Sequence, residues 1–360
     1  MSGVWGSNIK ISIFGESHGN AIGVNIDGLP SGFEINMDKV LLEMERRAPG
    51  KNELSTARKE ADLPEILSGF FEGKTTGTPL CAIIRNSDTR SKDYSKTKDF
   101  MRPGHADYTG YERYNGFNDY RGGGHFSGRI TAPLVFAGAI CKQILESQGI
   151  FIGAHISSIK DINDEVFNEV SISKDELDTL RAMELPLINR SLEDKIRHTI
   201  MQAKYDGNSV GGTIECAIVG IEAGVGNPFF DSVESTLAHL MFSIPAIKGI
   251  EFGKGFDITK LYGSEANDEY YYNEGFVKTK TNNNGGVLGG ITNGMPILFK
   301  VAVKPTASIL KEQDTIDIKE KKDVKFRIEG RHDPCIVQRA VPVVEAVTAI
   351  GILDLIKGRY

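Results

Sequence analysis

Four short segments of this chain combine histidines, arginines and carboxylates with glycines. They are 14–19 (FGESHG), 102–110 (RPGHADYTG), 121–129 (RGGGHFSGR) and 330–338 (GRHDPCIVQ). Histidine transfers protons near neutral pH, arginine binds phosphate and carboxylate groups, and glycine lets the backbone approach a ligand closely. We therefore expect the four segments to form one active site for an anionic, phosphate-bearing substrate.

Three residues in these segments are candidates for proton transfer. His18 lies between glycines after a predicted strand, where its imidazole can give or take a proton near neutral pH. His105 is the second candidate, and Asp107, close to it in the sequence, could orient its imidazole. Asp333 is the third and could act as a general base. Each has a purely structural alternative: a turn histidine at position 18, a first-turn helix acid at Asp107, or a helix cap at Asp333.

The groups that would bind an anion lie beside glycines or at element ends. Three consecutive glycines at 122–124 precede a helix predicted from Arg129, and the first N–H groups of that helix would point at the same ligand. The segment differs from the nucleotide P-loop, G-x-x-x-x-G-K-[ST]. Arg46 and Arg47 are further candidates, or are only helix C-terminal charges. The stretch 304–308 (KPTAS) adds a cation and hydroxyl donors.

Charge and cysteine usage exclude several classes of protein. The net charge is −6, so general attraction to nucleic acid or to an anionic membrane is not expected, and positive charge must be local. The four cysteines are widely separated, which argues against a zinc site or a disulfide scaffold and fits a reducing cytoplasm. The N-terminus does not resemble a signal peptide. Glu345 and Asp354 interrupt the apolar stretch 340–356, which predicts a buried helix rather than a membrane span.

A mixed set of strands and helices must position these segments. Strands are predicted at 9–14, 22–27, 80–85, 212–219 and 297–303, and alternation within 212–219 predicts a half-buried sheet face. Helices are predicted at 37–47 with an Asn36 cap, at 129–148, at 231–242, and at 335–356, the last kinked or capped at Pro342. The polar stretches 85–99 and 279–286 are predicted loops. No linker divides the chain, so we expect one α+β domain over residues 1–360.

Taken together, the segments resemble the chorismate synthase family. The family's best-known peptides match this chain at 14–19, 102–108, 119–124 (DYRGGG), 330–335 and 339–342 (RAVP), in the family's order. Such an ordered set is far more specific than any single motif, and it spans nearly the whole chain. The resemblance implies a single-domain β-α-β sandwich that usually assembles as a homotetramer.

The resemblance also implies a reaction. Family members convert 5-enolpyruvylshikimate 3-phosphate to chorismate and phosphate by an anti 1,4-elimination, the last common step of the shikimate pathway to aromatic amino acids. The reaction requires reduced FMN although it has no net redox change. The matching motifs assign His18 to protonating the leaving phosphate, His105 to protonating the reduced flavin, and Asp333 to assisting proton removal through flavin N5. The resemblance leaves open whether NADPH reduces the flavin on this protein or another reductase does so.

Binding residues carry over by position. The positions that match flavin-binding residues are His125, Phe126, Ser127, Pro245, Ala246, Gly289, Lys304, Pro305, Thr306, Ala307, Ser308 and Arg331. Arg46 and Arg47 match the basic site assigned to NADPH or substrate, and no metal is implied. This chain departs from the family where many members read R-S-S at 125–127, S-I-N-A at 243–246 and K-P-T-S-S at 304–308. His125 stands where many members have an arginine, Pro245 where they have an asparagine amide, and Ala307 where they have a serine hydroxyl.

Two other functions remain open from the residues alone. A phosphatase could use the same basic groups with a histidine nucleophile, and it would release phosphate from simple esters without flavin. A protein that kept FMN binding but lost turnover would form no product even with reduced flavin. Neither nucleic acid nor a membrane is an expected partner, and the expected location is the cytoplasm.

Overall fold

The computed structural model describes residues 3–50, 53–54, 60–87, 98–328 and 332–359. In these ranges the strands are β1 (Val4–Trp5), β2 (Lys10–Gly15), β3 (Ala21–Asp27), β4 (Pro64–Ser68), β5 (Phe70–Phe71), β6 (Lys74–Thr75), β7 (Leu80–Arg85), β8 (Phe151–Ile159), β9 (Ile162–Asn163), β10 (Gly212–Val219), β11 (Ile247–Phe252), β12 (Tyr270–Asn273), β13 (Phe276–Thr279), β14 (Val287–Leu288), β15 (Ile291–Thr292), β16 (Ile297–Val303), β17 (Glu312–Asp317) and β18 (Lys322–Arg327). The α-helices are α1 (Met37–Arg47), α2 (Asp107–Arg113), α3 (Thr131–Glu146), α4 (Lys174–Arg181), α5 (Glu193–Tyr205), α6 (Val233–Ser243), α7 (Gly263–Ala266) and α8 (Val337–Lys357). Short 3₁₀ helices are Arg121–Phe126, Gly128–Ile130, Arg190–Leu192, Phe229–Asp231 and Gly255–Lys260.

Two five-stranded antiparallel sheets enclose a layer of helices. The strand order is β1-β2-β3-β7-β4 in the first sheet and β11-β16-β10-β8-β9 in the second. Helix α3 contacts β3 and β7 of the first sheet and β8 of the second, while α8 contacts β8 and β10. The expected α+β class and β-α-β sandwich are therefore confirmed.

The central helices pack closely because one position has no side chain. A Cβ on Gly138 of α3 would lie 2.3 Å from the Cβ of Ala346 in α8, closer than two carbons can approach. Nearly every residue of both helices is buried, so the predicted buried helix at the C-terminal end is confirmed. Among the helices that the structure describes, none combines the length and apolar character needed to cross a bilayer.

Several element bounds agree with the pattern of the sequence. β7, β10, β16 and α1 have the predicted bounds, and the Asn36 side chain accepts a hydrogen bond from the N–H of Lys39 at 3.1 Å. Of the kink or cap predicted at Pro342, the cap is wrong, because α8 continues through this residue. Proline removes one intrahelical hydrogen bond near the first turns of this helix, and the burial of the helix outweighs that loss. Residues 88–97 of the predicted loop 85–99 lie outside the described residues.

The half-buried face predicted for β10 is wrong, because both faces of this strand are buried. On one face, Sγ of Cys216 lies 3.8 Å from Oγ1 of Thr348 in α8. On the opposite face, Ala217 packs with Leu177 of α4 in an apolar cluster separate from the main core. On that second face Glu215 lies 2.9 Å from Nε2 of the fully buried His155.

His155 also lies 3.1 Å from Asp164 through its Nδ1 atom. Burial alone would lower the pKa of His155, but its hydrogen bonds to Asp164 and Glu215 raise that pKa above the ordinary value. Glu215 on the second face of β10 therefore lies against a buried histidine of β8 whose two ring nitrogens each contact a carboxylate, which alternation in the sequence does not reveal.

Candidate active site

His18 packs against the triple glycine. Gly122, Gly123 and Gly124 have φ angles of 59°, 87° and 53°, in the left-handed region that glycine adopts without steric cost. A Cβ on Gly122 would lie 2.2 Å from both Cε1 and Nδ1 of His18. The glycine is therefore required at this position both by its backbone conformation and by its contact with the imidazole.

Hydrogen bonds of Ser17 set the protonation pattern of the neighbouring imidazole. Its hydroxyl lies 3.2 Å from each of the carbonyl oxygens of Arg121 and Gly122, and 3.1 Å from Nδ1 of His18. Carbonyl oxygens only accept, so the hydroxyl donates to a carbonyl and accepts from the Nδ1–H of His18. A proton that enters or leaves the ring then moves at Nε2. The N–H of Ser17 also donates to the carbonyl of Gly124 at 3.1 Å, which joins the first and third segments.

His105 packs against the next residue of the triple glycine, and a carboxylate lies against its imidazole. A Cβ on Gly123 would lie 2.9 Å from Cε1 and 3.0 Å from Nε2 of His105. Nδ1 of His105 lies 2.8 Å from Asp107, which also accepts hydrogen bonds from Nε and Nη2 of Arg102 at 2.6 and 2.7 Å. Asp107 therefore contacts the imidazole of His105, and it is also a first-turn acid, because it is the first residue of α2.

The charge state of Asp107 follows from these contacts. Burial alone would raise its pKa, but hydrogen bonds from Arg102 and His105 outweigh burial and hold the pKa well below the usual range. Nδ1 of His105 lies 2.8 Å from the ionised Asp107 and 3.1 Å from Nη2 of Arg102, and the shorter contact assigns a proton to Nδ1, which donates it to Asp107. The atom of His105 that exchanges a proton is then Nε2, the nitrogen nearest Gly123.

The loop 304–308 rests on the turn that carries His105. Nζ of Lys304 donates to the carbonyl of Gly104 in that turn, and the N–H of Lys304 donates to the carbonyl of Ala246 at 3.0 Å. Ala246 has a φ of 78°, an uncommon conformation outside glycine. Oγ1 of Thr306 is buried and has no hydrogen-bond partner among the described residues. The structure therefore brings two of the predicted flavin-binding stretches together beside His105.

The other predicted flavin positions are less closely grouped. Nδ1 of His125 donates to the carbonyl of Gly15 at 2.8 Å, and the Phe126 ring lies against Gly110 of α2. The Ser127 side chain accepts from the N–H of Arg129. Gly289 lies in the turn between β14 and β15, beside the first residue of α6. Since α6 has 11 residues, Gly289 is separated by about 16 Å of helix from the 245–246 turn at its other end, and Arg331 lies outside the described residues.

The fourth segment is connected to the end of α1. Nη1 of Arg339 lies 2.6 Å from the Asp333 carboxylate, and its Nε donates to the carbonyl of Arg47 at 3.1 Å. Nη1 of Arg47 in turn donates to the carbonyl of Arg129 at 3.3 Å. Burial lowers the pKa of Arg47 to about 9, against an opposing effect of Asp62, and Arg47 remains a cation at neutral pH.

Arg46 and Arg47 are adjacent in the sequence but point into different surroundings. Nη1 of Arg46 lies 2.7 Å from Glu43 and 2.6 Å from Glu345, and Lys142 lies 2.7 Å from each of the same carboxylates. Burial would raise the pKa of Glu345, but Arg46 and Lys142 hold it well below its usual range. Arg46 therefore belongs to a buried ion cluster between α1, α3 and α8.

Two residues without a predicted role connect the segments. Asn86 donates to the carbonyls of Glu16 and Gly19 at 3.0 and 2.8 Å and accepts from Nε of Arg129 at 3.0 Å. Asp62 is buried and bonds to Nη1 of Arg129. Asn86 follows a strand and precedes a polar stretch, which was a weak signal, whereas the sequence around Asp62 carries no pattern that marks it.

Comparisons with known proteins agree on one family. The family model described as chorismate synthase matches residues 9–356. A chorismate synthase of Pyrococcus abyssi is 46% identical over 97% of this chain and 96% of its own length. A chorismate synthase of Methanocaldococcus jannaschii is 44% identical over 100% of this chain and 98% of its own length. A crystal structure of chorismate synthase superposes with a TM-score of 0.76 at 29% identity, covering 98% of this chain and 92% of that one.

Proposed function

This chain belongs to the chorismate synthase family, whose members are carbon–oxygen lyases acting on phosphates, and we propose that its reaction is the anti 1,4-elimination of phosphate from 5-enolpyruvylshikimate 3-phosphate. The product is chorismate, and the reaction requires reduced FMN. One observation carries the proposal: neighbouring residues of the triple glycine contact the two histidines, Gly122 contacting His18 and Gly123 contacting His105. Two proton-transferring groups therefore face one glycine-lined region, close to buried arginines.

The side chains divide the proton transfers between them. His18 donates a proton from Nε2 to the phosphate as it leaves, because Ser17 keeps Nδ1 engaged. His105 holds a proton at Nε2 beside the flavin site, because ionised Asp107 engages its Nδ1. The Asp333 carboxylate assists in removing the ring proton, and its pairing with Arg339 keeps it oriented.

The matched flavin stretches 245–246 and 304–308, which lie together, fit a phosphate-bearing flavin. The buried hydroxyl of Thr306 has no hydrogen-bond partner among the described residues, and an oxygen of FMN would supply one. Lys304 adds a cation, and the Ala246 turn lies against it. When bound, reduced FMN supplies electron density transiently and recovers it. The residues that would hold it are His125, Phe126, Ser127, Pro245, Ala246, Gly289, Lys304, Pro305, Thr306, Ala307, Ser308 and Arg331.

The basic residues at the end of α1 have different proposed parts. Arg47 binds the anionic substrate or NADPH, because its guanidinium donates to the carbonyl of Arg129 and its own carbonyl accepts from Arg339, which pairs with Asp333. Arg46 fixes the helix end that carries Arg47, through its ion pairs to Glu43 and Glu345. Oxidation of NADPH in air with FMN present would test whether the protein reduces its own flavin.

We also propose a homotetramer, as the family implies. Phe229, Phe230, Tyr272 and Phe276 are largely exposed in the single chain, and exposed aromatic surface of this kind is typical of faces covered in assemblies. Size-exclusion chromatography with light scattering should give the mass of four chains. A mass of one chain at working concentration would contradict the proposal.

The reaction is tested by incubating the protein anaerobically with the enolpyruvyl substrate, with and without reduced FMN, and following chorismate by absorbance. Chorismate should form only with reduced FMN. Product without flavin, or phosphate release from simple esters without flavin, would indicate a phosphatase or another lyase. Flavin binding without product would indicate a protein that has lost turnover. Chorismate formation with reduced FMN, chorismate formation without flavin, and phosphate release from simple esters thus separate the proposal from both alternatives.

A further inference from the structure

Asp62 lies between two of the buried arginines. Its Oδ1 bonds to Nη1 of Arg129, and its Oδ2 lies 3.3 Å from Nη2 of Arg47. The carboxylate is fully buried, with a side-chain exposure of 0%, and the two guanidinium groups are almost as deeply buried. The carboxylate of Asp62 therefore pairs with two guanidinium groups, through Oδ1 with Arg129 and through Oδ2 with Arg47.

The backbone at Asp62 supports a functional reason for this arrangement. Its φ of 49° lies in the left-handed region, which is uncommon for residues other than glycine. Strained conformations at buried positions persist when the surrounding contacts require them, and they concentrate at functional sites. Here the conformation directs a short side chain between two arginines that come from different parts of the chain.

Hydrogen bonds connect each of the two arginines to a different part of the candidate active site. Nε of Arg129 donates to Asn86, which in turn donates to the carbonyls of the turn that carries His18. The carbonyl of Arg47 accepts from Arg339, which pairs with Asp333. The guanidinium of Arg129 is therefore linked to the turn that carries His18, and the backbone of Arg47 is linked to the segment that carries Asp333.

Like charges this close repel unless a counter-charge lies between them. Glu60 does not replace Asp62 in this role, because it lies 3.7 Å from Arg129 and accepts hydrogen bonds from Ser87. Nε of Arg47 is buried and has no hydrogen-bond partner among the described residues, so this donor remains for an anionic ligand. Nη2 of Arg129 has only long contacts, at 3.5 Å to the carbonyl of Arg85 and 3.7 Å to Glu60, and can also turn to such a ligand. An anion held by two arginines is bound with defined geometry as well as charge.

We propose that Asp62 is a positioning residue that aligns Arg47 and Arg129 as a paired receptor for one anionic group of the substrate. The proposal rests on the proposed function only in taking a phosphate-bearing substrate as the anion. Asp62 acts through the two arginines and does not touch the ligand. Its removal should therefore weaken anion binding more than it slows the chemical step.

The test compares Asp62→Asn with wild type and with Asp354→Asn. Asp354 is also a buried carboxylate, but it accepts three backbone N–H groups of residues 7–9, away from the arginines. The dissociation constant of inorganic phosphate is measured by calorimetry without flavin, and KM and kcat for the enolpyruvyl substrate are measured separately. Loss of a partner behind a binding side chain costs on the order of ten- to a hundredfold at metal sites. We expect a loss of that order in phosphate affinity and in KM for Asp62→Asn, a smaller change in kcat, and unchanged phosphate affinity for Asp354→Asn.

Wild-type phosphate affinity in a folded Asp62→Asn variant would overturn the proposal, and so would equal losses in both variants. If Asp62→Asn does not fold, the same measurement is made on Asp62→Glu, which keeps the charge but moves the carboxylate. Weakened phosphate binding by Asp62→Glu supports the proposal, and wild-type phosphate binding overturns it. The phosphate measurement needs no turnover. Failure of the wild type to form chorismate would therefore contradict the proposed function without deciding the role of Asp62.

Discussion

Replacement of Gly122 by alanine should slow turnover strongly. The added Cβ would lie 2.2 Å from two ring atoms of His18 and 2.8 Å from Oγ of Ser17. Carbon contacts are favourable only from about 3.5 Å. The imidazole or the glycine loop must therefore move by roughly 1.3 Å, which is the difference between these distances.

A displacement of this size is large for a catalytic group. A misplacement of about 1 Å can cost on the order of 10²-fold in rate, and we expect kcat to fall by about that factor. The φ of 59° adds a stability cost of roughly 1–2 kcal/mol for any residue with a Cβ. The cost is small enough that the variant should remain folded, so the effect on rate can be measured.

Gly128→Ala is the matched control, because it lies in the same segment. A Cβ on Gly128 meets no heavy atom within 4 Å, and the residue is exposed. The assay is anaerobic chorismate formation with reduced FMN, together with the thermal unfolding midpoint and FMN affinity of each variant. Gly122→Ala with a rate within twofold of Gly128→Ala would refute the claim that this glycine positions His18.

Three further predictions concern other parts of the chain. His18→Ala and Asp333→Ala should slow turnover much more than they weaken flavin binding, measured by flavin fluorescence; comparable losses would make these residues part of the scaffold. His155→Gln should be less stable than wild type at low pH, by a margin that shrinks as pH rises. The pKa of His155 is raised in the folded protein, so its stabilising effect is complete below the unfolded pKa of about 6.5 and is lost as pH rises through the folded pKa. Urea unfolding across that range measures the margin, and a constant margin would contradict it. Of the four cysteines only Cys81 is partly exposed. One thiol should therefore react with a soluble thiol reagent in the folded protein, and the three buried thiols should react only after unfolding. Reaction of a second thiol before unfolding would contradict this prediction.

The sequence identified residues whose chemistry is visible in their type and local spacing. A strand followed by glycines around His18, and a triple glycine before a helix, were sufficient to predict that these parts form one region. The approach of Gly122 to His18 confirms that they lie together. The Asn36 cap and the bounds of α1 also follow local rules, because capping depends on residues only three positions apart.

Contacts between distant parts of the chain were not predictable in the same way. Asp62 has no neighbour in sequence that explains it, and its role appears only when Arg47 and Arg129 converge on it. The second buried face of β10 likewise depends on α4, which the alternating pattern of the strand cannot reveal. The divergence of Arg46 and Arg47 depends on partners from α3 and α8.

The proposed site eliminates phosphate with reduced FMN and without net redox change. The most direct measurement is the number of chorismate molecules formed for each molecule of reduced FMN, under strict exclusion of oxygen and with no added reductant. The proposed reaction predicts many turnovers per flavin, with one phosphate released for each chorismate. At most one chorismate per reduced flavin, or equal amounts of product without flavin, would contradict it.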